Sequence, residues 1–269
     1  MHTVSEGLGA TGEPTIEDRA TQKARFDRDG FITIPNLLSP EQLAALRARI
    51  DQALSGAEPQ FGDFAIQWEP AVKDDPTVPR EQRIRVMFHL CHRDHFFWEH
   101  ATRPEILDVI ENLLGPDIKL YTDQLFVKPP HHGSDVAYHQ DSAYWPIDPP
   151  ALITCWVAID EATVENGCVH VIPGSHRMPV EHRDRTETQS RGILPAEVDV
   201  SREVPVPLPA GGAMFHHSLL IHRSHPNSSP RYRRGLATIY LSANSRLSEP
   251  WDFKYGFRQL RGRSFPGCI

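Results

Sequence analysis

The sequence predicts a mainly β protein, a β jelly roll with helices from the N-terminal part of the chain packed over it. Helical periodicity is confined to the residues before Gly115-Pro116. From residue 118 onward, short β-rich runs alternate with turn residues: IKLYTDQLFVKPP, ALITCWVAID, CVHVIPGS, VPVPLPA, GAMFHHSLLIH and RGLATIYLSA. Many short strands at regular spacing fit a sandwich or closed barrel, not a parallel sheet with crossover helices. Neither an internal repeat nor a second core is legible, so residues 15–269 are expected to form one domain.

Residues 1–14 are rich in Gly, Thr and Glu and read as a disordered tail. Within them Gly7 to Gly12 matches the dinucleotide fingerprint G-x-G-x-x-G. No strand can precede it and no apolar helix follows, so it is set aside. The run DGFITIPNLLS is β-like and ends at a helix signal. Ser39 suits the N-cap, Pro40 the first helical position, and Gln42 closes a capping box. Leu43, Leu46, Ile50 and Leu54 then recur at helical spacing. Residues 56–80, rich in Pro, Asp and Gln, read as a long loop. A second helix is expected over Arg103 to Leu114, burying Ile106, Leu107, Ile110, Leu113 and Leu114, with Gly115-Pro116 to stop it. Asn166-Gly167 marks a hairpin-like turn in the β region.

The 269-residue chain carries 39% hydrophobic and 23% charged residues, the balance of a soluble globular protein. A net charge of -7 speaks against a nucleic-acid partner, and the cluster Arg231, Arg233, Arg234 is too short to reverse it. No apolar run reaches the length of a membrane span, and the start, MHTVSEGLGATGEP, lacks the features of a signal peptide. Cys91, Cys155, Cys168 and Cys268 show no CxxC spacing and read as reduced thiols, which points to the cytoplasm. The expected partner is a small-molecule substrate.

The stretch YHQDSAYWP sets His139 and Asp141 two apart. On a strand such residues share a face and can reach one point in space. An imidazole and a carboxylate are two of the three ligands of a facial triad for non-haem Fe(II), which leaves positions open on the metal. Alone, the pair is weak, and most such pairs are chance or ordinary hydrogen bonding in a sheet. Downstream, FHHSLLIHRSHPNSSPRYRRG supplies His216, His217, His222 and His225. Met214 to Ile221 reads as a strand carrying His222 at its end. Adjacent strand residues face opposite ways, so at most one of His216 and His217 points inward. Arg233 opens the strand RRGLATIYL. A guanidinium grips a carboxylate through two parallel hydrogen bonds and suits the far end of a dicarboxylic co-substrate. The Ser224 hydroxyl can add to that grip. His131 and His132 read as a solvated loop, Tyr144 and Trp145 as core, and Pro173 to His176 as a structural turn.

From DGFITIPNLLS to RRGLATIYL the chain resembles the phytanoyl-CoA dioxygenase family of Fe(II)/2-oxoglutarate-dependent oxygenases. LFVKPP, YHQDSAYWP, WVAIDEATVENGCVHVIPGSH and FHHSLLIHRSHPN followed by an arginine carry the resemblance. It implies a double-stranded β-helix (a cupin-like jelly roll), a catalytic iron on His139, Asp141 and His222, and 2-oxoglutarate bound at iron and by Arg233. It further implies that Ser224 is the family's co-substrate hydroxyl, that Gln124 and Trp156 line the co-substrate pocket, and that Arg83 in RIRVMF stands near it. There is one departure. The family writes Gly-Ser-Gly after the distal histidine, whereas this chain writes Arg223-Ser224-His225 and so sets two bulky basic groups near the pocket rim.

The activity implied is hydroxylation of an unactivated C–H bond in a small organic metabolite, natural products included. O2 is consumed and 2-oxoglutarate is decarboxylated to succinate and CO2. Desaturation would use the same ligands, whereas halogenation needs a small residue where Asp141 stands. Two other classes use a similar frame: a zinc-dependent cupin-like hydrolase or isomerase, and a non-catalytic small-molecule binding barrel. Arg233 speaks against the first, and the complete ligand set against the second. Residues 56–80 and 178–200, expected to cover the pocket mouth, carry no legible substrate code.

Overall fold

The computed structural model describes residues 18–185 and 190–269, so the expected disorder of residues 1–14 lies outside the described residues. The helices are α1 (Arg19–Asp29), α2 (Pro40–Ser55), α3 (Arg80–Arg83), α4 (His95–Ala101) and α5 (Pro104–Leu114). Among them lie β1 (Phe31–Ile34), β2 (Ile66–Trp68) and β3 (Ile84–Phe88). After α5 come β4 (Ile118–Lys128), β5 (Val136–His139), β6 (Ile147–Asp148), β7 (Leu152–Ala158), β8 (Val169–Val171), β9 (Arg183–Arg185) and β10 (Ser190–Gly192). The chain ends with β11 (Val204–Val206), β12 (Ala213–His217), β13 (His222–Ser224), β14 (Arg233–Ser242), β15 (Arg246–Leu247) and β16 (Arg258–Arg261).

Two antiparallel sheets dominate. The large one runs β1-β12-β7-β14-β4-β3-β2 with β16 on β4, and the minor one runs β11-β8-β13-β5. From β7 the chain passes to β8 and β11 in the minor sheet, returns to β12, crosses to β13 and returns to β14. This winding is the jelly roll expected from the sequence.

Strand β7 explains why its sequence reads as an unbroken apolar run. Ile153, Cys155 and Val157 join the core made with Leu46, Ile50, Ile106 and Ile110 of the helices. Thr154 and Trp156 face the space between the sheets. Trp156 and Ala158 pack there with Val169, Val171 and Met214. A strand buried on both faces has no polar alternation. Helix α2 starts as expected, with the Ser39–Gln42 capping box in place, and buries Leu43, Leu46, Ile50 and Leu54. Helix α1 gave no signal in the sequence because it buries only Gln22 and Phe26 and so has no apolar stripe.

Two expectations are corrected. Met214 to Ile221 is not one strand: β12 ends at His217 and the chain crosses to the minor sheet before His222. The crossing turns at Ser218, which is fully buried and hydrogen-bonded to Ser142 and to the Pro150 carbonyl. Residues 56–80 are not all loop, since β2 extends the edge of the large sheet. Among the described residues of 178–200, Val180, Ile193 and Val198 pack against Tyr138, Ile172 and Ile221, and the His182 ring lies 6.3 Å from that of Tyr144, which is 6.0 Å from His139.

Candidate active site

A pocket of about 550 Å³ opens between the two sheets. Gln124 and Phe126 of β4, Thr154 and Trp156 of β7, His216 of β12, and Arg233, Ala237 and Ile239 of β14 form one wall. The minor sheet supplies Val136, His139, Val169, His222 and Ser224. On β14 and β7 the lining positions are alternate residues, as the pleat requires.

His139 and His222 are direct partners across β5 and β13, with ring centroids 4.1 Å apart. Asp141 does not share the strand of His139. It opens a 3-10 turn, Asp141–Tyr144, just past the end of β5. The same-face argument for the pair is therefore replaced by a turn that swings the carboxylate back. Its Oδ1 lies 3.5 Å from His139 Nε2 and 3.7 Å from His222 Nε2. The turn is pinned by Gln140, whose amide donates to the carbonyls of Leu219 and Met178.

The hydrogen bonds around these three residues fix what each atom can do. His139 Nδ1 is 2.8 Å from the Ala137 carbonyl and His222 Nδ1 is 2.9 Å from the Leu220 carbonyl. Carbonyls accept, so both Nδ1 atoms carry the hydrogen and both Nε2 lone pairs turn to Asp141 Oδ1. Asp141 Oδ2 is occupied otherwise: Thr154 Oγ1 donates to it at 2.9 Å and His216 Nε2 at 3.1 Å. Burial alone would raise the Asp141 pKa, but the surrounding imidazoles, with His216 donating to the carboxylate, hold it well below the usual range. Burial pushes His222 down to about 3, so its ring is neutral. Two imidazole lone pairs and one ionised carboxylate oxygen, mutually within 4.8 Å, could hold a divalent metal.

Arg233 stands in the same pocket, 2% exposed, with its guanidinium 5.5 Å from the Trp156 ring. Its Nε has no hydrogen-bond partner, and no carboxylate among the described residues pairs with it. Burial lowers its pKa to about 10, so it stays protonated at neutral pH. Its neighbour Arg234 points the other way and pairs with Asp160 and Asp51. Ser224, Gln124 and Trp156 all line the pocket.

Arg83 does not. It ends α3, donates to the Lys73 carbonyl at 3.3 Å and lies 5.8 Å over the Trp68 ring. The short helix turns it toward the β2 edge and away from the pocket. Thr154 and His216, the partners of Asp141, carried no motif of their own. Their signal was strand alternation: Thr154 stands two before Trp156. His216 and His217 do split, since His217 faces Phe26 and His176. Arg223 is among the residues lining the pocket, while its guanidinium lies 4.8 Å over the Tyr138 ring and donates to His225 Nδ1.

Comparison with known proteins adds the following. The sequence model of the family described as Phytanoyl-CoA dioxygenase (PhyH) matches residues 26–235. Peroxisomal phytanoyl-CoA dioxygenase of Bos taurus is 27% identical over 233 residues, covering 83% of this chain and 68% of that protein. Phytanoyl-CoA dioxygenase domain-containing protein 1 of Danio rerio is 27% identical over 285 residues, covering 91% of this chain and 97% of the relative. Among solved structures, the non-heme monooxygenase ThoJ superposes with a TM-score of 0.72 at 24% identity, covering 92% of this chain and 86% of its own. The alpha-ketoglutarate-dependent epimerase SnoN from nogalamycin biosynthesis gives 0.71 at 22%, covering 91% and 98%. At such identities the structural likeness is one of fold.

Proposed function

Because the chain belongs to the phytanoyl-CoA dioxygenase family, we propose that it hydroxylates an unactivated C–H bond of a small organic metabolite. Membership makes it an iron- and 2-oxoglutarate-dependent oxygenase. In this reading His139, Asp141 and His222 hold the iron. The donor set fits that ion: two imidazoles with their Nδ1 hydrogens already committed to carbonyls, and one carboxylate oxygen left free by Thr154 and His216. The iron supplies the redox chemistry by which O2 and 2-oxoglutarate together oxidise the substrate.

The chain's own residues do the rest. Arg233 receives the distal carboxylate of 2-oxoglutarate as a two-pronged donor, and Ser224 adds a hydroxyl from the opposite sheet. Trp156 stacks behind the guanidinium and Gln124 lines the same wall. Phe126, Val136, Val169 and Ile239 keep water from the remainder of the pocket.

The buried Arg233 carries this reading. A buried cation without a counter-ion costs several kcal/mol, and a dicarboxylic co-substrate supplies the missing partner. Neither a zinc hydrolase nor a plain binding barrel gives Arg233 that task. SnoN is named for nogalamycin biosynthesis, so natural products are the first metabolites to screen. The free state of Cys91, Cys155, Cys168 and Cys268 supports a reducing compartment, the cytoplasm in our reading. Among the described residues no helix is long and apolar enough to cross a membrane.

The test is a metabolite screen read by substrate-coupled succinate release. Succinate formed only with Fe(II), 2-oxoglutarate and O2 present is the expected result. Hydrolysis or isomerisation supported by zinc, with no succinate, would sink the reading.

A further inference from the structure

The side of the minor sheet away from the pocket repeats the pattern of the candidate iron site. His170 of β8 lies there, between Val169 and Val171, and is the register partner of Arg223 of β13, which also reaches the pocket lining. Glu203 comes just before β11 and His225 just after β13. Glu203 Oε1 lies 2.9 Å from His170 Nδ1 and 3.5 Å from His225 Nε2. The two rings are 4.6 Å apart and close to perpendicular, at 77°. Glu203 Oε2 is held separately by the Tyr138 hydroxyl. One carboxylate oxygen is thus anchored while the other faces two imidazoles, as at Asp141.

We propose that His170, Glu203 and His225 form a second divalent-metal site, suited to zinc or a similar borderline ion. Their ligand atoms lie within 4.8 Å of one another, and the donor-to-donor distances bracket those of a zinc ion bound at about 2.0–2.2 Å by nitrogen and oxygen. Two imidazoles and a carboxylate select zinc, nickel or cobalt over magnesium or calcium, which prefer oxygen throughout. The His170 ring has the freedom that binding demands. Its Nε2 is buried with no partner among the described residues, and the residue is 6% exposed. The hydrogen that Nδ1 gives to Glu203 without an ion can therefore sit on Nε2 when Nδ1 turns its lone pair to one. The His225 side chain is 38% exposed and leaves a path for the ion from solvent.

Arg223 is the competitor. Its Nη2 donates to His225 Nδ1 at 3.0 Å and its Nε lies 4.0 Å from Glu203 Oε2. When His225 binds an ion through Nε2, its Nδ1 must carry a hydrogen, so this contact opens and the guanidinium moves outward. The bound ion then ties Glu203, at the head of β11, to β8 and to the end of the strand that carries His222.

The test counts zinc per chain after chelator treatment, reloading and gel filtration. In the Asp141→Ala/His222→Ala chain the candidate iron site is dismantled, and one equivalent of zinc is expected to remain. Adding Glu203→Gln or, separately, His225→Gln should remove it, and circular dichroism checks that each variant is folded. Should the double background not fold, the wild-type chain serves, with two equivalents expected to fall to one in His225→Gln. Arg223→Gln is expected to tighten zinc binding several-fold. The proposal is overturned if the folded double background binds no zinc, if the equivalent survives both Glu203→Gln and His225→Gln, or if Arg223→Gln weakens binding.

Discussion

Arg233 and Arg234 are adjacent, equally basic, and set apart by strand alternation alone. Arg233 faces the pocket with no carboxylate partner among the described residues, while Arg234 is committed to Asp160 and Asp51. Arg233→Lys keeps the charge and loses the two-pronged grip. Charge-assisted hydrogen bonds are worth about 1.5–3 kcal/mol, so apparent 2-oxoglutarate affinity should fall roughly tenfold to a hundredfold. Arg234→Lys should leave that affinity unchanged, and the reverse pattern at saturating iron would disprove the assignment. The histidines separate in the same way. His222→Ala should purify without iron, His217→Ala should keep it, and His216→Leu should bind it more weakly because Asp141 Oδ2 loses a donor. Metal analysis of the three variants decides; iron lost from His217→Ala and kept by His222→Ala would move the third ligand. His139, Asp141 and His222 were legible from residue type and motif. His216 was not, because a histidine bonded to a ligand carboxylate carries no spacing signature of its own.

At the scale of the element, β14 and β7 depend on one small residue. A Cβ on Gly235 would stand 2.0 Å from Trp156 Cζ2, so the strand has no room for a side chain there. Gly235→Ala must move either the indole or the strand, and overpacking of this kind costs about 1–3 kcal/mol. The indole also lies against Arg233. The variant should therefore lose both thermal stability and 2-oxoglutarate affinity, and unaltered affinity would show that Trp156 does not position the arginine. Helices α2 and α5 were readable because their caps and apolar stripes are local. The break between β12 and β13 was not, because residues 213–222 contain no Gly, Pro, Asn or Asp to mark a turn and the turn at Ser218 is stabilised by Ser142 and Pro150, far away in sequence.

For the whole molecule, buried histidines set a response to acid. His100 is fully buried with neither ring nitrogen partnered among the described residues, and burial pushes its pKa down to about 3. His89 and His217 are pushed to about 4, again mainly by burial. In the unfolded chain each titrates near 6.5. Below that value the unfolded state binds more protons than the folded one, so stability present above 6.5 is lost as the pH falls toward the folded values. Asp123 acts in the opposite sense: burial raises it to about 7, and the fold gains as that carboxyl protonates. Comparison of a variant with the wild type removes this offset. His100→Leu should shrink the loss of stability between pH 7 and pH 5 by about 2 kcal/mol, read from urea unfolding at both values. An identical loss in both proteins would show that His100 does not carry the acid response.

The sequence by itself determined the fold class, the helices α2 and α5 and the residue types of the candidate iron site. All of these rest on local periodicity or on motifs a few residues long. Tertiary structure decided the rest. It placed Asp141 on a turn past β5, sent β13 into the opposite sheet so that His222 faces His139, and turned Arg83 away from the pocket. It also gathered His170, Glu203 and His225, which no motif links. The reason is physical: spacing tells which face of an element a side chain takes, but which elements oppose one another follows from how the sheets close around their shared core.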